Sequence, residues 1–193
     1  MQISFGKKIP ISTCNIYNKE TQRYERAALY EIDCNDEADI DYILRPDGMW
    51  EFKESIAYDA KSKYLDIKYC MCPNDIMNRY YSLETKNGKV ACLCETQSVH
   101  GNTNIRYIES NPDKHYKFAG QTMLASIAKL IYGTSQCLEI NIPTAWARPF
   151  YSKVCEFKED LTGFGYELRQ KDMKKFISRT EQRTKGEILS SKG

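Results

Sequence analysis

Two stretches of this chain hold residues whose types and spacing could do chemistry. The first is HYKFAGQTMLASIAKL, from His115 to Leu130, directly after the strand-like run IRYIE at residues 105–109. A strand that gives way to a short turn holding Gly120 and then to a helix offers free backbone N–H groups at the helix's first turn. Such groups suit an anionic ligand, for example a pyrophosphate. The second stretch is TAWARPFYSKVCEF, from Thr144 to Phe157, which sets the pair Phe150-Tyr151 ahead of an apolar turn. Each stretch alone is a weak signal; their order along one chain makes the stronger one.

Thiols are the other reactive groups. Cys70/Cys72 and Cys92/Cys94 are Cys-x-Cys pairs, and on a strand residues two apart share a face. Four thiols on adjoining strands could hold zinc. Structural zinc sites use wider spacing within each pair, however, and no histidine stands near either pair in sequence. We therefore read them as reduced thiols of the interior. His100 and His115 are read as surface or capping residues, with His115 close enough in sequence to the turn to touch a phosphate.

The elements that must position these groups follow from periodicity. Residues 26–34 (RAALYEIDC) read as a strand, and residues 37–44 as a short helix that Asn35-Asp36 opens and Arg45-Pro46 closes. A second helix is expected over residues 50–64, then a strand at 65–71. Strands at 80–85 and 90–99 flank Lys86-Asn87-Gly88-Lys89, whose Asn-Gly is the strongest short-range hairpin signal. After the 105–109 strand, Met123, Leu124, Ile127, Leu130 and Ile131 stripe a helix over 118–131, with Gly133 as its stop. A strand at 138–142, a short helix at 145–154, a strand at 165–169 and an exposed helix at 171–183 complete the order. Pro149 falls about one turn into the short helix, where its missing N–H costs little. This mixture indicates an α/β or α+β domain in layers.

Bulk properties narrow the class. A chain of 193 residues with 41% hydrophobic and 28% charged content can bury a core as one domain. The net charge of +2 demands no polyanionic partner. Residues 171–193 carry seven Lys/Arg against three Asp/Glu, so they are set apart as a basic helical extension from a main domain over 1–170. A solvated end is the ordinary role of such a tail, and nucleic-acid binding through it ranks last among the functions considered. No apolar run reaches the ~20 residues that cross a bilayer, and MQISFGKKIPIS lacks the apolar core of a signal peptide. A cytoplasmic location is expected, without membrane association.

At the two stretches named first, YKFAGQTML (116–124) and PFYSKVCEF (149–157), the chain resembles the Gcn5-related N-acetyltransferases, the GNAT superfamily. The order of elements agrees over about residues 26–169. The resemblance implies a mixed, mostly antiparallel central sheet flanked by helices, acetyl-CoA as donor, and an amine of a small molecule or protein as acceptor. In the family's phosphate turn Gly120 takes the second small position, Phe118 stands where the first glycine is expected, and His115 replaces the leading Arg or Gln. Cys155 stands where a glycine usually precedes the later phenylalanine.

Residue roles implied by the resemblance follow. The pantetheine arm would run along the 105–109 strand, at Ile108 and Glu109. The pyrophosphate would lie over the amides of Lys117, Phe118, Ala119, Gly120, Gln121 and Thr122, with Lys117 adding charge. Thr144 falls where an asparagine often touches the cofactor, and its hydroxyl could instead cap the helix. Tyr151 matches the tyrosine that protonates the departing thiolate. Glu109 and Glu95 are both candidates for the base that takes the amine proton. A GNAT-like acyl-CoA-binding or protein-interaction module without turnover is the alternative, favoured by Phe118. The acceptor and the oligomeric state are not encoded in any motif.

Overall fold

Alternation of buried and exposed side chains defines the first strand of the computed structural model, which describes residues 10–32, 78–111, 115–186 and 189–190. Strand β1 (Ser12–Asn18) buries Ser12, Cys14, Ile16 and Asn18 and leaves Thr13, Asn15 and Tyr17 partly exposed. That period of two is the mark of a strand lying on a core with one face. Antiparallel to it runs β2 (Arg23–Ile32), then β3 (Asn78–Thr85), β4 (Val90–Val99) and β5 (Asn102–Ser110).

The short β6 (Tyr116–Lys117) pairs with β1 and leads into helix α1 (Ala119–Ile131). Then come β7 (Cys137–Ile140), β8 (Lys158–Glu159), β9 (Tyr166–Arg169), helix α2 (Gln170–Thr184) and β10 (Leu189–Ser190). The sheet order is β10-β1-β2-β3-β4-β5-β7-β9-β8, with β6 also alongside β1. Among the described strands, only the β5–β7 pair is parallel. The expected mixed, mostly antiparallel sheet with flanking helices is the one observed.

Helix α1 is buried on all sides over Ala119 to Ala128, because it lies between the sheet and α2. A helix apolar or small all round is one that must be covered. Its Met123, Leu124 and Ile127 sit in one core cluster with Ile16, Leu29, Leu83 and Cys92 of the sheet. The stripe read from the sequence is thus the core face, and neighbouring helix α2 covers the rest.

Several expectations are corrected. The helix foreseen as exposed at 171–183 buries Met173, Phe176, Ile177, Thr180 and Thr184 on one face, hidden in the sequence by the many charges between them. Strand β1, second from one end of the sheet, lies ahead of residue 26, where the sequence reading begins its elements; its buried positions include Ser12 and Asn18, which mask the alternation. The strand expected at 138–142 ends at Ile140, since Ile142 takes a positive φ of 46° and Pro143 follows. The helices at 37–44 and 50–64, the strand at 65–71 and Cys70/Cys72 lie outside the described residues. Asn87-Gly88 forms the foreseen hairpin turn, Gly88 at φ 76° donating to the Thr85 carbonyl at 2.9 Å.

If α2 is a structural part of the core, Phe176→Ala removes a side chain that is 2% exposed and should cost about 3–5 kcal/mol, read from urea unfolding. A loss below about 1 kcal/mol would mark the helix as dispensable.

Candidate active site where two parallel strands part

The parallel ladder between β5 and β7 is short. Thr103, Asn104 and Ile105 face Leu138, Glu139 and Ile140, and there it stops. On its other side β5 goes on pairing with β4 as far as Ser110 opposite Cys92. The β4–β5 register shifts between Glu95 and Thr96, leaving Arg106 as an extra residue in β5. Such a bulge bends its strand. It falls where β7 turns away at Asn141, so residues 106–110 extend beyond the β7 ladder in mid-sheet. An extended ligand can bind such backbone as a strand would.

The first turn of α1 lies at the far end of this segment. Phe118, its N-cap, holds φ 67° and ψ 4°, the left-handed conformation that glycine adopts freely. Phenylalanine pays ~1–2 kcal/mol for it. The turn therefore keeps a glycine-type backbone with a phenylalanine in place. Helical bonding begins at Thr122, whose N–H donates to the Phe118 carbonyl at 2.8 Å. The amides of Ala119, Gly120 and Gln121 precede that bond and have no partner within the helix, and no side chain of Phe118 caps them. Thr122, at the end of the 117–122 span expected from sequence, thus has its amide engaged within the helix.

Gly120 is where three elements meet. A Cβ there would stand 3.2 Å from Ser110 Oγ at the end of β5 and 3.4 Å from Phe150 Cζ. Lys117 is exposed on β6, its ammonium 5.6 Å from the centre of the Tyr17 ring. His115 pairs through Nδ1 with Glu20 at 2.9 Å. The Gln121 side chain is buried against α2, where its amide donates to Thr180 Oγ1 at 3.2 Å.

Tyr151 rides on a wide turn. Thr144 is exposed and its carbonyl accepts from the amides of Ala147 and Arg148, so it opens this turn by its backbone. Residues 150–154 then form a π-helical turn, closed by Cys155 N–H donating to Phe150 O at 2.9 Å. The single helix expected over 145–154 is therefore a turn followed by this wider coil. Tyr151 is buried among Phe150, Phe157 and Tyr166, at ring-centre distances of 5.2, 6.5 and 6.0 Å. Burial first, and then the thiols of Cys155, Cys94 and Cys92, push its phenol well above the usual tyrosine range. It is held as a neutral phenol. Trp146, by contrast, is 79% exposed.

Strand register sorts the remaining groups by face, because opposed residues of antiparallel strands share a face. Cys92 opposes Ser110 and Cys94 opposes Ile108, on the face that α1 covers. Leu93 opposes Glu109, and Glu95 opposes Tyr107, on the other face. Ile108 is partly buried against the core. Glu95 also accepts from the Tyr80 hydroxyl at 3.4 Å. Tyr151 thus stands on one side of the β5 edge, and both glutamates stand on strands whose side chains at those positions point to the opposite side. Sequence reasoning placed Tyr151, Gly120 and both glutamates in this region but gave no sign of Ser110 or of the bulge at Arg106. Among the described residues no group of three or more His, Cys, Asp or Glu is set to hold a metal, and no helix is long and apolar enough to cross a membrane.

No family model and no curated protein matches the sequence. Solved structures do match. AtaTR bound with AcCoA aligns at a TM-score of 0.54 and 12% identity, over 77% of this chain and 96% of that one. A point mutant of the spermidine N-acetyltransferase SpeG from Vibrio cholerae aligns at 0.50 and 13%, over 76% and 95%. A KacTA–DNA complex aligns at 0.51 and 11%, over 67% and 92%. Identity this low carries the fold alone, and the fold is that of the GNAT acetyltransferases.

The buried thiols yield an expectation. Burial raises Cys14 and Cys155 to about 12 and lifts Cys92 and Cys94 as well. The unfolded chain ionises its thiols near ~8.5, so the folded state binds more protons above that value. Stability from these groups is whole below pH ~8.5 and lost as pH rises toward about 12. The urea midpoint is expected to fall between pH 8 and 10, and these four thiols to resist alkylation at pH 8 until the chain unfolds.

Proposed function

We propose that this chain, folded as a GNAT acetyltransferase, transfers the acetyl group of acetyl-CoA to an amine of a small molecule or protein by direct attack. The observation that carries the reading is the parting of β5 from β7 beside an uncapped helix start, with a buried phenol at the same place. The donor's chemistry fits these groups. Backbone at Ile108 and Glu109 would pair with the amides of the pantetheine arm, as a strand would. The N–H groups of Ala119, Gly120 and Gln121 would receive the diphosphate, Phe118 supplying the turn and Lys117 a nearby charge. Thr144, exposed at the start of the Tyr151 turn, is retained as a contact of the donor.

The two sides of the β5 edge divide the proton work. Glu109 or Glu95 accepts the proton of the incoming ammonium, directly or through water, from one side. Tyr151 donates its proton to the departing sulfur from the other. Once the C–N bond has formed, the nitrogen sheds its second proton through water to the Tyr151 phenolate, so that cleavage of the carbon–sulfur bond leaves a neutral amide and a free thiol, with Tyr151 restored and one proton on the glutamate. Positioning and water exclusion supply much of the remaining rate. Phe118 favours a second reading, a domain that binds acyl-CoA without turnover.

The test is to incubate the protein with acetyl-CoA and a panel of amines and to follow free thiol. Under our reading Tyr151→Phe lowers kcat about 10²-fold with little change in KM for acetyl-CoA. Calorimetric CoA binding, together with no turnover or no effect of Tyr151→Phe, would favour the second reading. No CoA binding at all would end both.

Gly120→Val places methyl groups where even a Cβ is 3.2 Å from Ser110 Oγ, and is expected to weaken CoA binding at least tenfold. Unaltered affinity would remove the first turn of α1 from the site.

A further inference from the structure

The turn that carries Tyr151 is five residues long and is held from outside, by α2. Arg183 Nη1 donates to the Val154 carbonyl at 3.3 Å, and Arg179 Nη2 to the Cys155 carbonyl at 2.5 Å. These are the carbonyls at the turn's C-terminal end, where a cation is favourable and a bond from a charged donor is strong. Arg179 is fixed in turn by an ion pair with Glu156. Below it Phe157 stacks edge-on with Phe176 of α2 at 5.1 Å, while Phe157 N–H donates to the Tyr151 carbonyl at 3.0 Å.

The same arginine reaches the other half of the site. Arg183 Nη1 lies 3.4 Å from Gln121 Oε1, and Gln121 Nε2 donates to Thr180 Oγ1 at 3.2 Å. Gln121 is 1% exposed and belongs to the first turn of α1, next to Gly120. One polar chain therefore runs from Gln121 at the start of α1, through Arg183, to the Val154 carbonyl of the turn bearing the phenol, with Thr180 bonded to Gln121 alongside.

We propose that Arg179 and Arg183 are positioning residues, which hold the Tyr151 turn at a fixed distance from the first turn of α1. This inference rests on the reading of Tyr151 as the proton donor. It assigns a task to two of the basic residues that the sequence suggests are merely solvated. Neither arginine needs to touch a substrate. Their effect passes through Tyr151, and that sets the form of the test.

Arg183→Ala is made in the wild-type and in the Tyr151→Phe background, with kcat and melting temperature measured in all four proteins. The expected result is a loss of about tenfold in kcat in the wild-type background and less than about twofold in the other, since the group being positioned is already gone. Arg183→Lys keeps the charge without the planar fork and gives the same pattern with a smaller loss, which serves should the alanine variant fail to fold. Equal losses in both backgrounds, or none in either, overturn the proposal while leaving the acetyltransferase reading intact. A Tyr151→Phe enzyme as fast as wild type, or a wild type without acetyl transfer, sinks that reading and this inference with it.

Discussion

The early end of one parallel ladder is the constraint on which the rest of this molecule depends. Backbone N–H and C=O groups inside a sheet are normally met by the next strand. Here β5 keeps its β4 partner through Ser110 but loses β7 after Ile105, because Arg106 bulges from one strand and the other turns off after Ile140. A length of strand thereby runs on past the β7 ladder in mid-sheet. Position in mid-sheet, rather than at an outer edge, brings helix starts and turns from both following segments to the same spot.

Covering that spot without filling it requires a second layer. Helix α1 is buried for its first ten residues, so its start is fixed as firmly as the core. Its companion α2 supplies the cover, with an apolar face of Met173, Phe176 and Ile177. The same burial keeps Tyr151 protonated, since a phenolate would be stripped of water there. Stability and chemistry thus draw on one cause. Removing Tyr151 and the cysteines of β4 from solvent yields both a core and the protonated phenol that the proposed function uses.

Phe118 shows how a motif can change while its geometry persists. The residue adopts φ 67°, within the region that its glycine counterpart would use without cost. The local strain is small against the packing of the ten buried residues that follow. A departure at one position of the turn has been absorbed by tertiary structure, and the amides of Ala119 to Gln121 are still presented.

The sequence by itself determined the elements with clean periods or strong turn signals. The Asn87-Gly88 hairpin, the striped helix at 119–131 and the strands that alternate or run apolar were legible because local chemistry decides them. So was the joint presence of the turn at Gly120 and the Phe150-Tyr151 pair, which brought the fold within reach. Tertiary structure alone decided where strands part, since a bulge at Arg106 and a ladder of three pairs leave no trace in composition. It also decided that residues 12–18 join the sheet as a strand despite the buried Ser12 and Asn18, and that a basic helix buries one face in the core. Long-range pairing sets these features: a polar or charged side chain is placed by what the rest of the chain packs around it, not by its neighbours in sequence.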